Sequence, residues 1–566
     1  MKKNGFFYVK SFLTTLCALF ITNFYVMADV QLPQGIPSTR FLITNYGAAT
    51  TNADNASYIN AAIAAARAAG GGIVVFPAGT FLSGPISIPS GTTKLNLYLE
   101  AGDTLRMLPY GTYPGTPSTY KDFNFIYPQN CSDIAITGKG VIDGNGASGW
   151  WAAYSAGTIS SRPGIVRFKA CHRVLVDSIT MRNAPNVHLT MGQSSTMGDN
   201  ATISNITIYA DVPTPNTDCI DTWYWNGINI VNCNLSGGDD NIAMDSFTQN
   251  ITIKHCVFGR GIVPSYLTGT GSNSTGHGCS IGSYTIAVQN VVVDSCTFNG
   301  TDYGIRIKSD RDRGGNGANA VQNLSYSNLT MTNINKIPIY MTCYYNSSDP
   351  TSNPNVASAA ITANTPQYQN ITFRNITAST ISTSSSSVRV MTLFGLPEMP
   401  VSNVVFDNVQ LNSLSTSTSS SVYVSYINGL SFNCSNITRN GNPYTSNPYA
   451  FVQNTYFPFH STITGIDLNT GKSTNCENGI PTVPIESVSC YPNPANDKIT
   501  VTAEYAINKA TLFSLNGTTI KTVSGHGDKQ LSINMDDVPE GFYLLKITGT
   551  KNITNTLKVT KINKNT

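Results

Sequence analysis

The sequence predicts an all-β chain in which a long parallel β-helix solenoid is followed by a small C-terminal β-sandwich. Three observations carry this. From about residue 133 onward a short phrase keeps returning: a polar residue, usually Asn, then an alternating β-branched triplet, one or two polar residues and another apolar pair. Copies begin at Ile206, Ile228, Ile251, Val291, Leu324, Ile371 and Val404, and a repeat of this size marks a solenoid. Charged residues make up only 11% of the 566 residues while Gly, Asn, Ser and Thr are abundant, a composition typical of extracellular β proteins. Finally, residues 486–566 abandon the repeat for short alternating strands such as Ile499-Thr500-Val501, Ala510-Thr511-Leu512-Phe513 and Phe542-Tyr543-Leu544-Leu545, the pattern of a sandwich.

Residues 1–28 read as a signal peptide. Lys2, Lys3 and Lys10 precede an apolar run that ends in Val26-Met27-Ala28, a small-residue cleavage site. Thr14, Thr15, Thr22 and Asn23 interrupt the run, and no later segment is long and apolar enough to span a membrane. Bulky Leu16 ahead of Cys17 argues against lipidation. The mature chain is therefore expected outside the cell or on its surface, with no membrane span.

Residues 29–465 form the expected solenoid. Its open end needs a cap, and residues 55–69 are the one strong helical stretch, with Asp54 or Asn55 as N-cap and Gly70-Gly71-Gly72 as the stop. Ile73-Val74-Val75-Phe76 then begins the first coil. The first intervals between phrases are 228 − 206 = 22 and 251 − 228 = 23 residues; longer ones are coils that carry outward loops. Asn-x-Ser/Thr triplets at Asn205, Asn250 and Asn370 have the form of glycosylation acceptors, but their place in the repeat predicts stacked Asn side chains bonded along the solenoid. Cys233, Cys256 and Cys296 occupy equivalent positions, so a buried thiol stack is favoured over disulfides. Of 12 cysteines, Cys17 leaves with the signal, and the odd eleven that remain require at least one free thiol or an interchain bond. Their spacing lacks the pattern of a zinc site, so no metal and no cofactor are expected. A net charge of +3 with no basic patch excludes nucleic acid as a partner. Residues 466–485 read as a linker, and the chain is expected to be a monomer.

Four clusters in the middle carry chemistry: Asn216-Thr217-Asp218, Gly238-Asp239-Asp240, Gly276-His277-Gly278 and Arg306-Ile307-Lys308. Asp218 and Asp239 are 21 residues apart, close to one repeat, which predicts that stacked coils place them side by side. Strand alternation would send either Asp239 or Asp240 inward, and Gly237-Gly238 supplies a bend that lets both face a cleft. Clustered carboxylates raise one another's pKa, and glycoside hydrolysis needs one protonated and one ionised carboxyl. His277, between two glycines, can orient the acid. Arg306 and Lys308 alternate to one face of a strand; two cations suit a uronate, whose carboxylate Arg binds in bidentate fashion. They could equally be bonded to nearby aspartates. Trp223 and Trp225 suit either sugar stacking or core packing.

These clusters, in this order on this repeat, resemble glycoside hydrolase family 28, the polygalacturonases. The resemblance covers residues 39–459, including Tyr46-Gly47-Ala48 and Val141-Ile142-Asp143-Gly144-Asn145-Gly146 leading to Trp150-Trp151. It implies a right-handed, pectin-lyase-like β-helix and inverting hydrolysis of α-1,4 galacturonan in pectin. Asp239 would be the general acid, Asp218 and Asp240 the pair that activates water, and His277 the supporting imidazole. Asn216, Arg306, Lys308 and Tyr345 would bind substrate, with Tyr344 competing for the tyrosine's place. Asn241 stands where many relatives have Cys, which puts an expected local disulfide in doubt, and residues 262–274 look like an insertion beside His277. A rhamnogalacturonan hydrolase, a calcium-dependent pectate lyase and a non-catalytic surface adhesin are the alternatives. Residues 486–566, with Tyr491-Pro492-Asn493-Pro494-Ala495, Leu512-Phe513-Ser514-Leu515-Asn516-Gly517 and Gly541-Phe542-Tyr543, resemble the sorting domain of the type IX secretion system. That implies the secretion machinery of a Gram-negative cell as a partner.

Overall fold

The computed structural model describes residues 30–562 apart from 194, 212–213, 261–275, 349–355, 417–420, 444–459, 469, 477–488, 492, 494, 504, 515–518 and 550–553. The expected signal peptide and the expected insertion at 262–274 lie outside the described residues. The chain divides into two compact units, 1–475 and 476–566.

The first unit is a right-handed parallel β-helix, the hand that parallel crossovers take because right-twisted strands feed them that way. Successive coils stack in parallel register, and one column runs through Ala201, Ile228, Ile251, Val291, Leu324, Ile371, Val404 and Leu430. Six of the seven sequence phrases therefore start in this column. Ile206 does not: it precedes Thr207, which pairs with Asn234, so it opens the next strand of its own coil. The coil below Ile228 begins at Ala201, and the spacing there is 228 − 201 = 27 residues rather than 22. Two strands of one coil carry the same alternating pattern, so sequence periodicity cannot tell them apart.

Inward positions build one continuous core. Tyr326, Phe373, Phe406 and Phe432 are register partners with rings stacked at 5.1, 4.8 and 5.0 Å, and Phe258 stacks on Phe298 at 4.5 Å. Cys233, Cys256 and Cys296 are free and buried, and the Cys256 N–H lies 3.4 Å from Cys296 Sγ, as a thiol stack requires. Cys434 is disulfide-bonded. The asparagine stacks are also present. Asn290 donates to Asn250, Asn323 to Asn290, Asn370 to Asn323 and Asn403 to Asn370 at 2.9, 3.0, 3.4 and 2.8 Å. Each of these five residues has φ between 54° and 62°, the left-handed turn that Asn tolerates better than other side chains.

Helix α1, Ala56–Ala68, buries Ile59, Ala62, Ile63 and Ala66 in this core. Asn55 is its N-cap, without a side-chain bond to the helix, and Asp54 just ahead of it accepts the Ala56 N–H at 2.8 Å. Asn55 instead bonds its amide to the Ala49 and Leu82 carbonyls.

One face of the solenoid is a nine-stranded parallel sheet, whose strands are β1 Val166–Phe168, β2 Leu189–Met191, β3 Ile220–Thr222, β4 Asp240–Met244, β5 His277–Ile281, β6 Tyr303–Lys308, β7 Ile337–Thr342, β8 Met391–Phe394 and β9 Val422–Ser425. All four sequence clusters fall at its middle strands. The second unit pairs an antiparallel sheet of three strands with one of four, and Ile499, Val501, Leu512, Ile533 and Leu545 from both form its core. This is the expected sandwich.

Candidate active site

Parallel register brings the clusters together. Ile220 pairs with Ile242, Asp240 with His277, and Cys279 with Ile305. Asp218, Asp240, His277 and Tyr303 thus share one column at the strand starts. The 22-residue offset sets Asp218 opposite Asp240, and not opposite Asp239 as a 21-residue spacing suggests; Asp239 sits one position ahead. A second column runs Asp221, Ala243, Ser280, Arg306.

Asp239 is held by two neighbours. The Asn216 N–H donates to its Oδ2 at 2.8 Å, and His277 Nε2 lies 3.7 Å from its Oδ1. Asn216, with φ of 60°, therefore acts on the site through its backbone. Asp240 is almost fully engaged: Ser280 Oγ donates to Oδ1 at 2.6 Å and Lys308 Nζ to Oδ2 at 2.8 Å, with Arg306 Nη1 3.5 Å from Oδ1. The Arg306 guanidinium lies 4.6 Å over Tyr303 and 5.6 Å from Tyr345, and Lys308 lies 5.1 Å from Tyr345. Tyr345 is 38% exposed and Tyr344 only 3%, so the two cations meet Tyr345 and Tyr344 belongs to the core. Trp225 is likewise fully buried, whereas Trp223 leans on exposed Tyr284 at 5.6 Å.

Electrostatics divide the carboxylates. Burial would raise Asp240, but Lys308 and Arg306, then His277, outweigh it and hold it well below the usual carboxylate range. Burial, reinforced by the charge of Asp240, raises Asp239. Asp218 and Asp221 are both raised, first by burial and then by the surrounding carboxylates. Burial and the adjacent Arg306 push His277 down to about 3, so its imidazole is neutral.

Four residues of the site escape a reading of the sequence. Asp221 faces the same pocket as Asp218. Ser280 bonds Asp240 from the next coil. Tyr303 packs edge-on against His277 at 5.2 Å. His188, fully buried and pushed down to about 4 by that burial, contacts the Asp218 carbonyl through Nδ1 at 2.8 Å and accepts the Ala184 N–H through Nε2 at 3.3 Å. Asp221 carries the one available signal, a carboxylate three residues after Asp218.

Asn241 replaces the doubtful disulfide with hydrogen bonds. Its Oδ1 accepts the Gly237 N–H at 2.7 Å and faces Cys219 Sγ at 3.5 Å, and its Nδ2 donates to the Gly259 carbonyl at 2.9 Å. Cys219 is free. Ligand atoms of Asp239, Asp240 and His277 lie within 4.8 Å of one another, a spacing that could hold a cation. Such an ion would compete with Lys308 and Ser280 for both oxygens of Asp240. A cavity of about 310 Å³ adjoins Asp218 and Asp221 on the side of the preceding coils, and Lys121, Arg162 and Arg167 also line it.

Residues 74–435 match the family model for glycosyl hydrolases family 28, and residues 489–562 match a secretion system C-terminal sorting domain. An endo-polygalacturonase of Pectobacterium carotovorum subsp. carotovorum is 31% identical over 325 residues, which cover 53% of this chain and 71% of that protein. A probable polygalacturonase of Arabidopsis thaliana is 28% identical over 336 residues, 58% of this chain and 66% of that one. Among solved structures, a polygalacturonase from Erwinia carotovora ssp. carotovora is 26% identical with a TM-score of 0.52, covering 69% of this chain and 98% of its own. A hyperthermoactive exopolygalacturonase from Thermotoga maritima shares the fold, with a TM-score of 0.54 at 20% identity over 73% and 94% of the two chains.

Proposed function

From the premise that this chain belongs to glycosyl hydrolases family 28, we propose how its site cuts homogalacturonan and which residues carry the steps. The chain is a polygalacturonase, a glycoside hydrolase of O-glycosyl bonds, and its sorting domain marks it for export to the extracellular space or cell surface of a Gram-negative cell. The bond cleaved is α-1,4-galacturonosyl, and cleavage inverts the anomeric carbon.

Asp239 keeps its proton because it is buried beside ionised Asp240, and it donates that proton to the leaving glycosidic oxygen. Asp240, ionised, removes a proton from the attacking water, which Asp218 orients from the coil below. Neutral His277 fixes the Asp239 carboxyl. One observation supports the polyuronate most: two buried cations, Arg306 and Lys308, face the single firmly ionised carboxylate of Asp240. One positive charge is left over for a substrate carboxylate, and Tyr345 flanks it.

Reducing-end release from polygalacturonate in the presence of chelator tests the reaction; ultraviolet-absorbing unsaturated products would mean a lyase instead. Asp239→Asn should lower kcat by roughly 10²–10⁴-fold, the usual contribution of a general acid, while oligogalacturonate binding changes little. Because the pKa of Asp239 is raised, activity should persist above the ordinary carboxyl range and fall as rising pH strips that proton; the acidic limb should not come from His277, neutral above about 3. A polypeptide starting after Ala28, with 29–465 as the catalytic part, 466–485 as linker and 486–566 removed on export, is the expected processing of a monomer. Intact mass and light scattering of the exported enzyme check it.

A further inference from the structure

We infer that Arg167, in the wall of the cavity beside Asp218, receives a second carboxylate of the polyuronate, across the cleavage point from Arg306 and Lys308. The inference rests on the polygalacturonase reading above and assigns a determinant of substrate charge to a coil that the four clusters do not reach.

Register places the residue. Arg167 on β1 pairs with Thr190 on β2, which pairs with Asp221 on β3, and the same column continues through Ala243 and Ser280 to Arg306. Arg167 therefore stands two coil steps before Asp221 and five before Arg306. At the strand spacing of about 4.8 Å these are roughly 10 and 24 Å. Both arginines occupy outward positions of one sheet, on opposite sides of the aspartates.

The chemistry of Arg167 is incomplete within the chain. Several arginines of this unit have carboxylate partners, Arg173 with Asp133, Arg182 with Asp143 and Arg311 with Glu398, while Arg389 lies over the Tyr423 ring at 3.9 Å and Arg439 bonds Ser421. Arg167 has no ion pair among the described residues, and its Nε is buried without an acceptor. Burying an unpaired cation is costly, and burial indeed pushes this guanidinium below its ordinary value. The neighbour on the same wall, Arg162, is already committed, donating to the Pro185 carbonyl at 2.8 Å and the Pro215 carbonyl at 2.6 Å. It ties the segment leading to Asn216 in place. Tyr127 Oη is spent on Gln193 at 2.7 Å.

The cavity supplies the room. Its volume of about 310 Å³ is lined by Arg167 and Lys121 together with Asn186, Asn216 and the two aspartates, a set that binds an anionic, hydroxyl-rich ring. A polygalacturonate chain bears one carboxylate per sugar, so a chain threaded over Asp218 and Asp239 presents carboxylates on both sides of the cleaved bond. Arg306 and Lys308 take one. The planar guanidinium of Arg167 can take the other in bidentate fashion.

The test uses the exported enzyme with two substrates, polygalacturonate and the same polymer half methyl-esterified at random. Arg167→Gln should lower kcat/KM on polygalacturonate roughly tenfold to a hundredfold, the worth of a charge-assisted hydrogen bond, mainly through KM. Mass spectrometry of the products from the half-esterified polymer provides the decisive readout. The wild type should leave a free carboxylate at a fixed sugar on one side of each cut, and Arg167→Gln should accept a methyl ester there. Arg167→Met, which fills the same space without a charge, should also lose the ester discrimination, and it decides the matter if Arg167→Gln does not fold. An unchanged ester pattern in a folded Arg167→Gln enzyme, or an unchanged KM, overturns the role of Arg167. Wild-type enzyme that releases no reducing ends from polygalacturonate overturns the polygalacturonase reading instead.

Discussion

Asn241 shows how one side chain can stand in for a covalent bond. It satisfies a buried N–H and a buried carbonyl while resting on Cys219 of the neighbouring coil. Opposed residues of adjacent parallel strands lie about 4.8 Å apart, within the Cα separation of a disulfide. Asn241→Cys should therefore oxidise onto Cys219, and thiol titration of the unfolded protein after mild oxidation should count two thiols fewer than before it. An unchanged count would show that the strand start holds the two side chains apart. Asp218, Asp239, Asp240, His277, Arg306 and Lys308 were legible as clusters, since each chemistry needs its own residue type. His188 and Ser280 were not, because their roles exist only toward a residue one coil away.

At the scale of the element, the asparagine ladder does two things at each rung: it holds a left-handed turn and bonds to the rung below. Asn323, with φ of 62°, donates to Asn290 and accepts from Asn370. Asn323→Ala should cost about 3–4 kcal/mol, from two hydrogen bonds worth about 1 kcal/mol each and a left-handed penalty of roughly 1–2 kcal/mol for a residue with a Cβ. Asn323→Gly should recover the backbone part alone. Urea midpoints of the three proteins measure this, and equal midpoints for Ala and Gly would remove the backbone argument. The Asn and Cys columns were readable because identical residues recur at identical places. The phase of Ile206 was not, since both strands of its coil share one alternating pattern.

For the whole molecule, two units with separate cores imply separable duties. The solenoid holds all the residues that meet in the site, and the sandwich matches a sorting domain. A chain ending at residue 480 should cleave polygalacturonate at close to the full-length rate when purified, because domains with their own cores fold alone, yet should stay inside the producing cell. Activity assays on the purified protein and on culture medium check both halves, and a large loss of rate would tie the sandwich to the function of the solenoid.

The sequence by itself determined the solenoid, its cap, the sandwich and the chemical kit, because period, composition and residue type are local properties that a chain carries openly. Tertiary structure alone decided the pairings: Asp218 opposite Asp240, Tyr345 rather than Tyr344 beside the cations, Asn241 against Cys219, and Arg167 in one column with Arg306. Each depends on how many residues a coil spends before it returns to the sheet. That number is fixed by packing between coils, where a shift of one residue turns an active-site side chain toward a different neighbour.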